Sequence, residues 1–415
     1  MKQAKVTSPQ GTLLVTTRRL EDAGHVRGFF DSDSPLYFRR GGRTLVGIGS
    51  AVKATFKGDD RFSASATWWK DVLRRAHVSD SINAPGTGLV AFAQFTFSSS
   101  SAIRSVVTIP RIVIGSDAHG VWLTTIGAEE QPTPRETSEA SSSPVTWSHS
   151  ADDAESFTQN VRAALEKVKS GALHKVVLAR QIVGTSNSPI DPRQLTSGLE
   201  SAYPDTHIFA LGGLVGASPE TLASVRGGTL SATVLAGSTG RGVNPDDDQR
   251  QAEELAQSTK DLDEHEYAVS SAVQSLEQSG FGPVVTDEPR ALKLKNLWHL
   301  ATDIKSEVPT GLTAFDVLGT LHPTAAVAGT PTEVALRLIG ELEPFDRGFF
   351  GGPVGWCDSQ GNAEFAIALR CAQLSDNRKT ITAHAGAGIV ADSIPEKELL
   401  ETDLKFLPII DACAM

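Results

Sequence analysis

Residues 174–237 decide the fold. They hold three β-rich runs, HKVVLARQIVG (174–184), THIFALGGLVG (206–216) and GTLSATVLAG (228–237), followed further on by NAEFAIALRCAQL (362–374) and KTITAHAGAGIV (379–390). Tight turns separate many of these runs, so an antiparallel α+β arrangement is expected over a regular βαβ winding. From residue 154 onward, helical periodicity appears at ESFTQNVRAALEKVKSG (155–171), the long run 248–278, TPTEVALRLIGELE (330–343) and SIPEKELLETDLKFL (393–407).

Towards the N-terminus the pattern is mainly strands and turns. The runs TLLVTT (12–17), RTLVGIGSAV (43–52), GLVAFAQFTF (88–97) and RSVVTIPRIVIG (104–115) are bounded by Gly, Pro, Asp or Ser, with one helical stretch, SASATWWKDVLRRAHV (63–78). Residues 129–153 are rich in Pro, Ser and acids, as suits an exposed connection. Residues 1–150 are therefore expected to be the β-rich part of a single fold, and 151–415 its catalytic part, with no domain boundary between them.

The chain has 415 residues, 40% of them hydrophobic and 21% charged, enough to form a sizeable core without disulfides. Three scattered cysteines give neither a disulfide framework nor a zinc knuckle and fit a reducing cytosol. The N-terminal stretch lacks the apolar core of a signal peptide, and no run approaches the ~18 apolar residues of a membrane span. A net charge of −11 argues against nucleic acid as a partner but leaves room for a small anion held by a few focused cations.

Several residues could carry chemistry. Lys175 begins a strand that is apolar on both faces, and burial disfavours its ammonium form, the condition under which a lysine acts as a base. The same position also suits a strand-end lysine reaching out to water. Glu220, beside Pro219, could be held protonated as an acid, or could merely cap a turn. In the last helix Ser393 and Glu396 form a candidate capping box, with Pro395 in the first turn. Glu398, Glu401 and Lys405 then share one face. Two carboxylates a turn apart, joined by Glu264 from KDLDEHEY (260–267), would suit Mg²⁺; the alternative is a solvated stripe. Arg370 is read on a strand face with Glu364, Ala366 and Ala368, free to grip a carboxylate or to form a structural ion pair. Gly386 and Gly388 imitate half of a dinucleotide fingerprint, but no helix opens at them, so they are read as offering backbone N–H groups to an anion.

In order along the chain, HKVVLARQ, GASPETL, LAGSTGRG, KDLDEHEY, NLWHLATDI, LHPTAAVAGTP, the run 345–372 and the run 385–406 resemble the chorismate-utilising enzymes, and among them the isochorismate synthases. The resemblance covers about the last two-thirds of the chain. It implies a single α+β domain of two extensive, mostly antiparallel, packed sheets with helices outside. It implies an isomerase with chorismate as substrate, Mg²⁺ as its one cofactor, and a product used for siderophores or menaquinone. Lys175 would activate water for attack at ring carbon 2, and Glu220 would protonate the hydroxyl leaving carbon 4. Glu264 and Glu401 match magnesium ligands, with Glu398 in the same site. Arg370, Gly386 and Gly388 match the pocket for the enolpyruvyl carboxylate, and Gly237, Ser238, His299, Ala326 and Lys405 match other substrate-lining positions. The resemblance further implies a cytoplasmic monomer without a glutaminase subunit.

Three relatives act differently. Salicylate synthases go on to eliminate pyruvate, ammonia-using synthases make anthranilate or aminodeoxychorismate, and a binding relative would keep the fold without turnover. The segments LWHLAT and HPTAAV, with Phe350 in GFFGG, favour the synthase that stops at isochorismate.

Overall fold

A computed structural model describes residues 5–7, 11–21, 26–127, 132–134, 144–148 and 151–414. Most of the exposed connection expected over 129–153 lies outside the described residues, as do residues 1–4 and 8–10 of the N-terminal stretch. The strands form two sheets, of eleven and thirteen strands among the described residues. Every pairing is antiparallel except that of Leu13–Arg19 with Ala76–Asp80. The α+β expectation holds.

The chain passes repeatedly from one sheet to the other, and these crossings set the geometry. Arg43–Ile48 belongs to the thirteen-stranded sheet and Val52–Phe56 to the eleven-stranded one; Ser105–Ile109 and Ile112–Asp117 divide likewise about Pro110. RTLVGIGSAV and RSVVTIPRIVIG are thus each two strands. THIFALGGLVG is a hairpin, His207–Leu211 with Leu214–Ser218, turning through Gly212 and Gly213 at positive φ. NAEFAIALRCAQL also divides: Ala363–Ile367 lies in one sheet and Cys371–Leu374 in the other. Arg370 therefore does not share a strand face with Glu364, Ala366 and Ala368. It sits at the crossing with φ 47°, where the backbone must turn sharply to change sheets.

The inner faces of the sheets meet in a core that includes Phe38, Leu45, Val113, Trp122 and Phe209 from the larger sheet and Val90, Phe92, Val354 and Trp356 from the smaller. Each large apolar side chain buried there contributes ~1.5–3 kcal/mol, against ~0–1 kcal/mol for an exposed ion pair. Packing, rather than rim charge, holds the sheets at the spacing the crossings need.

The helices lie outside, with three departures from the pattern. Arg61–Arg75 ends before Ala76, and Ala76–Asp80 continues as the parallel strand. The run 248–278 is two helices, Pro245–Gln257 and Thr259–Gln278, broken at Ser258, whose extended backbone lets its side chain cap the second through Asp261 N. The last helix, Pro395–Cys413, runs on through Pro408 because Ile409 and Ala412 are buried beyond it. Its N-cap is Ile394 without a side-chain hydrogen bond, so the Ser393–Glu396 capping box does not form; Ser393 Oγ instead accepts from Val390 N at 3.2 Å. Helices Pro192–Ala202 and Ala314–Leu321 were not foreseen, although Asp191 before Pro192 and the Thr313/Asp316 capping box are start signals.

Candidate active site

Two crossings between the sheets lie side by side. Ser218 ends a strand of the larger sheet and Thr221 begins one of the smaller, leaving Pro219 and Glu220 in the step. Residues 368–370 make the return step. Ile367 donates its N–H to Glu220 O at 3.2 Å, and Ala217 donates to Arg370 O at 3.1 Å, so each crossing braces the other. Glu220 and Arg370 face one cavity of about 60 Å³, also lined by His299, Ala326, Gly386 and Lys405.

Glu220 is 3% exposed. Burial pushes its carboxyl up to about 8, although Leu235 N–H, Arg370, Lys175 and Lys405 all pull the other way. At neutral pH it is an acid with a proton to give.

Arg370 donates to His299 Nε2 at 2.8 Å, and His299 Nδ1 lies 3.3 Å from Gly237 O. Since a guanidinium can only donate, Nε2 must accept, and Nδ1–H donates to Gly237. Burial and then the Arg370 charge hold the ring well below the usual histidine range, in agreement with a neutral imidazole. Gly237 has φ 77° and forms the bulge between Ala236 and Ser238 against Leu297–Glu307. A second neutral imidazole, His265, pins that bulge from the helix side, between Ala236 O at 3.1 Å and Thr302 Oγ1 at 2.8 Å.

Lys175 is 1% exposed, so it does not reach out to water. Its Nζ lies 2.9 Å from Glu264 Oε1. Burial alone would raise the Glu264 carboxyl, but Lys175, with Lys405 and Lys260 behind it, holds it below the usual carboxylate range. Gly388 permits the pair: a Cβ there would stand 2.6 Å from Glu264 Oε1 and 3.0 Å from Lys175 Cε. Lys175 lines neither this cavity nor its neighbour; its charge reaches Glu220 across the wall.

The last helix closes the other side. Arg180 anchors it from strand Lys175–Thr185, donating to Thr402 Oγ1 at 2.7 Å and pairing with Asp403. Lys405 Nζ reaches Gly386 O at 2.8 Å and Glu401 Oε1 at 2.6 Å. A second cavity, about 370 Å³, is lined by Ser238, Lys260, Glu398 and Glu401. Lys405 lines the first cavity and Glu401 the second, so the ion pair between them stands in the partition.

Among the described residues no three His, Cys, Asp or Glu side chains converge as a metal-ligand set. Glu264 and Glu401 are each turned to a lysine. The donor chemistry nevertheless fits a hard divalent cation. Burial and then repulsion from Glu401 push Glu398 up to about 7, and burial with repulsion from Glu264 and Glu401 raises Asp261. That surplus of acid is what such an ion would neutralise.

The structure thus brings Glu220, His299, Ala326, Arg370, Gly386 and Lys405 around one cavity, and Ser238, Glu398 and Glu401 around the adjoining one; Gly237 lines neither and stands behind His299, accepting its Nδ1–H. Lys175, Glu264 and Gly388 lie together in the wall. Sequence reasoning missed His265, Lys260 and Arg347. Arg347, a cavity-lining residue, bonds Glu343, Val327 O and Val177 O, and so ties strand Lys175–Thr185 to the 322–330 loop.

Comparison with known proteins agrees with this architecture. Residues 27–414 match the family model described as chorismate binding enzyme. The chain is 38% identical over 270 residues to isochorismate synthase DhbC of Bacillus subtilis (strain 168), covering 62% of this chain and 67% of that one. It is 30% identical over 391 residues, 92% of each chain, to the vibriobactin-specific isochorismate synthase of Vibrio cholerae serotype O1. The crystal structure of DhbC from Bacillus anthracis superposes with a TM-score of 0.79 at 29% identity, covering 94% of this chain and 98% of that one. With its two packed sheets and paired crossings accounted for, the chain belongs to the chorismate-binding enzyme family.

Proposed function

We propose that the protein is an isochorismate synthase, an isomerase that converts chorismate to isochorismate with Mg²⁺. The observation that carries this reading is Glu220: a carboxyl protonated at neutral pH, facing the same small cavity as Arg370 and Lys405. Such a cavity suits a dianion that must lose a hydroxyl. Arg370 and the backbone around Gly386 and Gly388 grip the enolpyruvyl carboxylate. Lys175, paired with Glu264 in the wall in this structure, acts once it has shed its proton and turned to the cavity: its neutral amine then takes a proton from the water that attacks ring carbon 2, and Glu220 gives its proton to the hydroxyl leaving carbon 4. One water is consumed and one released, so the reaction is redox-neutral. Acid and base each contribute ~10²–10⁴-fold.

Glu264 and Glu401 would hold Mg²⁺, with Glu398 behind them through water. When bound, the ion supplies positive charge to the ring carboxylate. At about 60 Å³ the cavity is smaller than its ligand, and a swing of Lys405 away from Glu401 would join it to the 370 Å³ space beyond.

No helix among the described residues is long and apolar enough to cross a membrane. We place the enzyme in the cytoplasm as a monomer without a glutaminase subunit.

The test is incubation of purified protein with chorismate and Mg²⁺, with products separated by chromatography. Isochorismate is expected, with activity abolished by a chelator and restored by Mg²⁺. Salicylate and pyruvate as main products overturn the assignment, and so does a Lys175→Ala enzyme with undiminished turnover.

A further inference from the structure

His384 lines the first cavity, and neither the reaction above nor the hydrogen bonds that position its neighbours give it a task. It stands on strand Thr380–Ile389, two residues before Gly386 and four before Gly388. Strand alternation therefore points it to the same face as those glycines, and it lines the cavity with Glu220, Arg370 and Lys405. On the opposite face, Ala383, Ala385 and Ala387 are buried in the core.

The imidazole is 9% exposed. It stacks on Phe350, with ring centroids 5.3 Å apart at 17°, and leans on Phe345 at 5.6 Å and 49°. Its Nε2 is buried with no hydrogen-bond partner among the described residues. A phenylalanine or leucine would fill that place with no polar atom to satisfy. Buried polar atoms nearly always have a partner, so an unmatched nitrogen on a side chain that lines a substrate cavity points to the substrate. Burial and the Arg347 charge push the ring down to about 4, so it is neutral at physiological pH and offers one N–H. A dianionic ligand presents mainly acceptors.

We propose that His384 is a substrate-contacting residue, its Nε2–H donating to an oxygen of the ring dicarboxylate bound beside Glu220 and Arg370. This rests on the chorismate reading.

The test compares His384→Phe and His384→Gln with wild type in steady-state turnover of chorismate and in thermal unfolding. His384→Phe keeps the stack on Phe350, so its Tm is expected to stay at or above that of wild type. Its kcat/KM should fall about 10-fold, the loss of one hydrogen bond to a charged group, mainly through KM. His384→Gln, whose amide nitrogen can occupy the place of Nε2, should recover part of the loss. A His384→Phe enzyme within about twofold of wild type overturns the inference alone, as does a loss that merely tracks a lowered Tm. A wild-type enzyme that makes no isochorismate overturns the functional reading and takes this inference with it.

Discussion

Arg370 donates to His299 Nε2 at 2.8 Å, and this contact fixes where the imidazole carries its proton. Protonating Nε2 would set N–H against N–H, so the ring is expected to remain the Nδ1–H tautomer throughout about pH 5–8. Nitrogen NMR of selectively labelled histidine should show no titration of His299 in that range. A ring titrating near 6.5, the unperturbed value, would mean that Arg370 points elsewhere. His299→Ala should raise KM more than it lowers kcat, since the arginine stays charged but loses its orientation.

Glu220 ties both activity and stability to pH, and both fall as its proton is lost. Its carboxyl releases its proton at about 8 in the folded chain, against 4.5 unperturbed, so the native state binds the extra proton between those values. Stability therefore declines as pH rises through that window, by at most about 1.4 kcal/mol per pH unit. Glu220→Gln removes the decline, so its Tm should hold up better than that of wild type on the alkaline side. Its turnover should fall ~10²–10⁴-fold because the amide cannot protonate a leaving hydroxyl. Equal Tm profiles for the two proteins across the window would show that Glu220 ionises normally.

The sequence carried the donors but not the crossings. Glu401 and Lys405 were legible from the helical spacing of the last helix, whereas Lys175 and Glu220, with apolar strands around them, were assigned roles through the family resemblance. Arg370 was read on the wrong surface because NAEFAIALRCAQL reads as one continuous, mostly apolar strand, and periodicity cannot mark where a strand leaves one sheet for another. The same ambiguity hid the divisions at Pro110 and within RTLVGIGSAV. The break at Ser258 was legible in principle, since serine three residues before Asp261 is a cap signal, but strong helix formers on both sides masked it. His265 and Arg347 gave no sign, because the bonds that define their roles reach groups far away in the chain, Ala236 O and Thr302 Oγ1 for the one, Val177 O and Val327 O for the other.

The Lys175–Glu264 pair should behave as one unit. Lys175→Met leaves a mostly buried carboxylate without its nearest cation, and Glu264→Gln leaves a buried ammonium; each should cost about 3 kcal/mol or more. The double variant should cost less than the sum, with a coupling of ~0.5–3 kcal/mol in denaturant unfolding. Strict additivity would place the two groups apart in solution.

Gly388 gives the sharpest steric prediction. An added Cβ would stand 2.6 Å from Glu264 Oε1, the mobile end of a side chain, so the carboxylate must move while the backbone can stay. Gly388→Ala should therefore fold, with a cost within ~1–3 kcal/mol, yet lose about 10-fold or more in kcat, because a misplaced base loses alignment with its proton. Gly340→Ala is the control: nothing lies within 4 Å of its added Cβ, on an exposed helix face. That variant should keep full activity and gain ~0.5–1 kcal/mol. If Gly388→Ala matched it in turnover, the approach of Lys175 to Glu264 across this glycine would have no part in the reaction.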